Sequence, residues 1–403
     1  MTATGEVATR TSATRWAVLA AYALLAACTQ LLWLTFAAVD TRSAAVMKVD
    51  LGTVGDLAAI FPFVYIVLAL PTGRWLDLRF GQALGAGALL TGIGALIRVV
   101  SPASFGWQLA GQIVIATGQP LVLNSITKVA ARYFAPGERA TAISVGTAAL
   151  FVGILAAVLM AGPLFDAGGL PLLLGVQSAA AVLATVLVLI ALRAPTPFRD
   201  DPSVSVSLRW LARDRFMWVL AALVFIGMGT YNAVATWLQP ILAHFGEGGA
   251  AGNLIAVMTF AGIIGAAVLP TPISARNRRR EMLLAALVVS AVSFVAIGFS
   301  HNLLWLGAWL FAQGFLLLAS LPVVLDWSDV HAGPERQGAA VGFLMMAGNL
   351  GGLLLVLAVQ ALIGNAYLAL GALAVVAVAG VPVALRLPRH TESVGTGGLA
   401  ASR

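Results

Sequence analysis

One cysteine in 403 residues, Cys28, excludes an internal disulfide and any thiolate metal cluster. Histidine is nearly as scarce. His244, His301, His331 and His390 are scattered, with no metal-ligand spacing and no nucleophile motif beside them. Charged side chains make up only 10% of the chain, so a soluble globular composition is excluded as well. No aromatic-interleaved basic patch marks a nucleic-acid partner. These shortages predict a protein that is not an enzyme, with no metal and no cofactor.

What the chain has in excess is apolar length. Hydrophobic residues are 60% of it, and a bilayer core takes about 20 of them per crossing. Twelve such runs are read near 16–39, 51–72, 83–100, 105–131, 139–163, 170–192, 216–242, 252–272, 282–300, 302–327, 338–362 and 365–386. The expected class is an all-α membrane protein of twelve transmembrane helices. Arginine marks the orientation. Arg10, Arg15, Arg74, Arg79, Arg132, Arg139, five Arg between 193 and 215, Arg276, Arg278, Arg279, Arg280, Arg336, Arg386 and Arg389 fall in alternate connections; the opposite ones hold Arg42 and Lys48. Both termini are therefore expected in the cytoplasm, in a multi-pass protein of the inner (plasma) membrane. The net charge of +7 suits an anionic inner leaflet. The leader 1–14 lacks the apolar core of a signal peptide.

The longest polar break, RAPTPFRDDPSVSVSLRWLARDR at 193–215, leaves six runs on either side. The expected organisation is a tail (1–14), a six-helix bundle (15–192), a cytoplasmic linker (193–215), a second six-helix bundle (216–386) and a tail (387–403). Internal similarity supports a repeat. Glu138–Arg139 and Glu335–Arg336 stand 197 positions apart, each opening a Gly/Ala-rich helix. PTGRWLDLRFG after the second run has a worn counterpart, PTPISARNRRR, after the eighth.

The segment Gly73-Arg74-Trp75-Leu76-Asp77-Leu78-Arg79-Phe80-Gly81 resembles the G-x-x-x-D-R/K-x-G-R/K signature of the major facilitator superfamily, with the second base displaced and Gln82 where a base is usual. Gly73 permits a tight helix exit. Asp77 is suited to accept from the free N–H groups at a neighbouring helix N-terminus, and Arg79 to pair with a carboxylate or with terminal carbonyls. The resemblance implies the major facilitator fold with a clasp on the cytoplasmic side. Its expected partners are Lys128 or Arg132 and the start of the eleventh helix at Glu335–Arg336, with Glu138 and Arg139 at the equivalent place. Lys128 and Asp326, placed alike before the two Glu-Arg pairs, are expected to share the same inner gate.

Gln30-Leu31-Leu32-Trp33, the stretch Asp50 to Arg79, and GQPLVLNSITKVAARYFAPGERATAIS (118–144) are together similar to the feline leukaemia virus subgroup C receptor-related family of solute carriers. That resemblance implies a link to choline, ethanolamine or haem transport. It also implies a site in which Trp33, Gln119, Asn232 (beside Tyr231) and Asn349 surround a quaternary ammonium. Asn349 replaces the family's Gln, and the aromatic of the seventh helix is lost or shifted by one residue.

The residues point the same way on their own. Polar side chains in hydrocarbon face a bundle interior or an aqueous cavity. Gln119, Tyr231, Asn232 and Asn349 lie near the middle of their runs, with Trp33 farther out and Asn124 and Gln313 less central. Asp40, Asp56 and Arg98 lie toward outer ends. With no charge at mid-depth, bidentate anion recognition has no central Arg, and proton coupling has no buried carboxylate. Aromatics and amides suit a small neutral solute or an organic cation held by cation–π contact. The expected function is a monomeric carrier of such a solute working by alternating access. Gly153, Gly162 and Pro163 partly resemble a drug–proton antiporter motif, which keeps an efflux antiporter as an alternative. A non-transporting sensor of the same fold is the other.

Overall fold

The computed structural model describes residues 3–198, 208–299, 302–362 and 364–388, with side chains from Thr14 onward, Leu51 excepted. The Arg10 side chain, linker residues 199–207, His301 and everything past 388, including Arg389 and His390, lie outside the described residues. Every regular element within them is helical. In chain order these are α1 (Ala3–Trp33), α2 (Asp40–Met47), α3 (Leu51–Val100), α4 (Phe105–Leu123), α5 (Ile126–Tyr133), α6 (Arg139–Ala191) and α7 (Arg209–Arg213). They continue as α8 (Arg215–Ala243), α9 (Ala251–Val268), α10 (Pro270–Ala275), α11 (Arg279–Phe299), α12 (Leu303–Ala332), α13 (Gln337–Leu362) and α14 (Ala366–Leu385).

Among the described residues, nine helices are long and apolar enough to cross a bilayer, or ten if the bent pair α4–α5 is one crossing. Two of the nine are far too long for a single crossing. α3 has 50 residues, and a straight helix of that length would reach about 75 Å against a core of about 30 Å. It breaks at Arg79, whose backbone is non-helical (φ −145°, ψ 61°). α6, with 53 residues, breaks at Gly168–Gly169. Gly169 adopts φ +64° and ψ −161°, a region essentially closed to residues with a Cβ, and Pro171 opens the segment that follows. Between α4 and α5 the chain bends by 40°, just past Pro120, which has no N–H to donate and whose ring crowds the preceding turn.

Short polar side chains fix the helix starts. Asp50 accepts from Thr53 N (2.9 Å), and Asp214 from Phe216 N and Met217 N (3.0 and 3.1 Å). Asn302 and Asn365 do the same at α12 and α14. Many large apolar side chains face outward, Phe299 and Leu304 most of all, as a hydrocarbon surround requires.

Before residue 193, α1 packs on α6 and α3 on α4; after residue 208, α8 packs on α13, α9 on α12 and α11 on α14. The two groups meet through α3 against α13 and α6 against α9. At the first seam the main chains touch. A Cβ on Gly73 would lie 2.3 Å from Gly338 O, and one on Gly338 2.4 Å from Gly73 O.

Gly169→Ala should cost on the order of 1–3 kcal/mol, whereas Gly371→Ala, in open space on α14, should be neutral or stabilise by up to about 1 kcal/mol. Thermal unfolding of the purified variants in detergent checks both; equal midpoints would remove the special role given to the Gly169 turn.

Candidate functional site

A cavity lies between the two groups, lined from α1, α3, α4 and α6 on one side and α8, α11, α12 and α13 on the other. Gln119, next to Pro120 on α4, lines the cavity, and Trp33, the last residue of α1, reaches it from its helix end. Tyr231, Asn232 and Asn349 also line it, so all five residues singled out from the sequence surround one space. Asn349 Nδ2 donates to Met345 O (2.9 Å), one turn back on α13. Asn124 stands outside the lining, where it donates to Ala69 O (3.0 Å) and Thr72 Oγ1 (3.2 Å). Gln313 is fully buried on α12 and also outside the lining.

Five aromatic rings form much of the wall: Trp33, Phe61, Tyr65, Phe151 and Tyr231. Trp33 and Phe61 lie 6.4 Å apart between centroids, tilted by 38°; Phe151 and Tyr231 meet edge-on across the groups at 6.3 Å. Their polar tips are all engaged elsewhere. Trp33 Nε1 donates to Ala58 O (2.9 Å), Tyr65 Oη to Asn124 Oδ1 (2.6 Å), and Tyr231 Oη pairs with Thr259 Oγ1 (3.1 Å). None of these three partners lines the cavity, so ring surface is what remains for a solute. The lining adds Gln30, whose Oε1 is buried without a hydrogen-bond partner among the described residues. No Asp, Glu, Lys, Arg or His is among the residues that line it. Phe61, Tyr65, Phe151 and Gln30 were missed as site residues. Gln30 had a signal, an amide one turn before Trp33 in an apolar helix. The Phe residues had none.

The second assembly lies at the end of the bundle that carries most of the Arg. Asp77 accepts from Gly338 N (2.7 Å) and Ala339 N (2.9 Å), at the start of α13. Lys128 Nζ stands 3.2 Å from Asp77 Oδ1 and also donates to Pro334 O. Both side chains are buried, at 1% exposure for Lys128 and 6% for Asp77. The N-terminal N–H groups of a helix have no partner within it and carry its positive dipole end, so a carboxylate there satisfies both. Arg139 and Asp329 (3.9 Å) and the Thr141–Thr271 hydroxyl pair (3.0 Å) add further ties between the groups at this end.

Five expectations about this end need correcting. Lys128 and Asp326 do not pair. Asp326 instead accepts from Arg279 Nε and Nη2 (2.9 and 2.7 Å) and Ser274 Oγ (2.6 Å), all within the C-terminal group. Arg79 takes no part in the clasp; the chain breaks its helix there, and Nη1 donates to Gln82 Oε1 (3.3 Å). Arg132 lies over the Phe80 ring (5.0 Å) and Arg336 over Trp210 (5.3 Å), so neither meets Asp77. Glu335 is exposed, and the start of α13 is held through its backbone rather than through Glu335–Arg336. Glu138 binds Arg15 through two bonds (2.6 and 2.9 Å) inside its own group.

Apolar helices packed around an uncharged central cavity, tied together at one end, have the architecture of a membrane carrier. The chain belongs to the Major Facilitator Superfamily, whose model matches residues 18–354 and again 239–401. Solute carrier family 49 member A3 from Danio rerio is 30% identical over 378 residues, covering 86% of this chain and 78% of that protein. The Choline/ethanolamine transporter FLVCR2 of Homo sapiens is 22% identical over 387 residues, covering 88% and 73%. The crystal structure of the superfamily transporter FucP in its outward conformation superposes with a TM-score of 0.74 at 15% identity, over 93% of this chain and 100% of that one. This is a membrane transporter related to the FLVCR family, not an enzyme.

The clasp geometry gives a direct test. Asp77→Asn leaves Lys128 buried against backbone carbonyl alone, and losing one partner of a buried pair costs about 3–5 kcal/mol. Adding Lys128→Met to Asp77→Asn removes the stranded charge and should recover part of that loss in thermal stability. Adding Asp326→Asn instead should recover none. Rescue by Asp326→Asn and not by Lys128→Met would overturn the pairing.

Proposed function

We propose that the chain is a monomeric secondary transporter that carries a small organic solute, a choline-like cation or a neutral amine-like metabolite, by alternating access. In this reading α3 and α6 each cross the membrane twice, which gives twelve crossings in two six-helix halves, 15–192 and 216–386, joined by 193–215. The Arg-rich end and both termini face the cytoplasm of a cell whose plasma membrane holds the protein. Closure at that end and a cavity between the halves then correspond to a carrier awaiting solute from outside.

The observation that carries the reading is the cavity wall. It offers five aromatic rings with their polar tips turned away, amides from both groups, and no charge. A desolvated cation over such rings gains up to about 2 kcal/mol, and the amides are placed for a hydroxyl or an N–H. The names of FLVCR2 and its relatives as choline/ethanolamine transporters add weight to that class. Without Asp, Glu, His, Lys or Arg in the lining, proton antiport has no carboxylate or imidazole there to act through, so facilitated movement is favoured. An inside-negative potential contributes roughly 2.3 kcal/mol per 100 mV to uptake of a cation.

Uptake of labelled choline and ethanolamine into proteoliposomes tests the proposal. Trp33→Ala should weaken choline affinity about 30-fold, and Gln119→Ala about fivefold, the loss of one hydrogen bond worth about 1 kcal/mol. Unchanged affinity in both variants places the site elsewhere. Efflux driven by a pH gradient would favour the antiporter, and saturable binding without flux would favour a sensor.

A further inference from the structure

Away from the Arg-rich end, Arg98 in the last turn of α3 is fully buried. Its four hydrogen-bond acceptors are all neutral: Leu32 O (3.1 Å), Thr35 Oγ1 (3.1 Å), Gln112 Oε1 (2.9 Å) and Gln177 Oε1 (3.0 Å). The Phe36 ring lies 5.9 Å from the guanidinium carbon, and burying a cation with no anionic partner is expensive, so its placement calls for a reason. Leu32 O belongs to the last turn of α1, where carbonyls have no partner within the helix and form the negative end of its dipole. Arg98 therefore caps the helix that ends in Trp33. Gln112, turned by its bond to Arg98, donates from Nε2 to Leu57 O (3.2 Å) and more weakly to Leu32 O (3.5 Å).

The two carbonyls held in this way sit one residue before Trp33 and one before Ala58. Those are the two residues joined by the indole bond, Trp33 Nε1 to Ala58 O. One Arg–Gln pair thus grips the backbone next to both ends of the contact that orients the indole. Neither Arg98 nor Gln112 lines the cavity.

We propose that Arg98 and Gln112 are positioning residues for Trp33, setting from outside the cavity the angle at which its indole meets the solute. The inference rests on reading that cavity as the solute site. A plain structural brace would stabilise the helices without governing the indole, and that difference can be measured without any ligand. The emission of Trp33 is isolated as the difference between a protein and the same protein carrying Trp33→Phe. In Gln112→Met, and separately in Arg98→Lys, this difference spectrum should move to the red and become more open to acrylamide quenching. Ser178→Ala, which removes a buried bond to Ala95 O (2.8 Å) in the same helix group, should leave it as in the wild type.

With choline as the probe, Gln112→Met should weaken binding about tenfold, most of the cation–π gain, yet add nothing in a Trp33→Ala background because the two act through one contact. An unmoved Trp33 spectrum in both variants overturns the proposal, as does a full tenfold further loss in the Trp33→Ala background. Should the wild type not bind choline, the solute reading fails, and the spectral comparison alone decides the positioning role.

Discussion

The structure turns on where the Asp77 carboxylate finds its hydrogen bonds. It is nearly sealed from solvent and takes them from two backbone N–H groups at the start of α13 and from the Lys128 ammonium. That arrangement joins an element of the N-terminal group to one of the C-terminal group at a point that only close main chains reach. The two groups are tied together at this end through that contact. In the C-terminal group Asp326 binds Arg279 and Ser274 and does not cross. One buried ion pair ties the two groups together, and the other braces a single group from inside.

The bilayer explains how much of this was legible in the sequence. A lipid core enforces apolar runs of fixed minimum length, so the membrane-spanning helical class could be read directly. Two of the turns were legible as well: the polar stretch 73–82 and the Gly/Pro-containing stretch 162–169 interrupt the apolar runs where α3 breaks at Arg79 and α6 at Gly168–Gly169. Among site residues, amides and Trp33 were visible because hydrocarbon penalises a polar atom left outside. Phe61 and Phe63 show why the rest of the wall was not. They are chemically identical and two positions apart, yet one is 1% exposed and the other 69%. Charges could be placed in depth but not around the helix axis, and for that reason Lys128 and Asp326 were matched when each has another partner.

The two ends of the N-terminal group are held by different kinds of bond. Near Arg98, bonds run among α1, α3, α4 and α6 and stay within the group. Near Asp77 they run across to α13. Such a division lets the group move as one piece, with its aromatic wall kept in shape, while the ties at the far end form and break. The proposed alternation between open ends needs both properties at once.

Where Gly73 and Gly338 meet, main chain lies against main chain with no side chain between them. Interlocked side chains must change rotamer before two surfaces can part, and each such change raises the activation barrier. A glycine seam has nothing to unthread. Its resistance to separation comes from a few hydrogen bonds and one ion pair, all of which water can replace as it enters. In the proposed alternation, friction at this seam is set by the chemistry of Asp77 and Lys128 rather than by interlocked side chains.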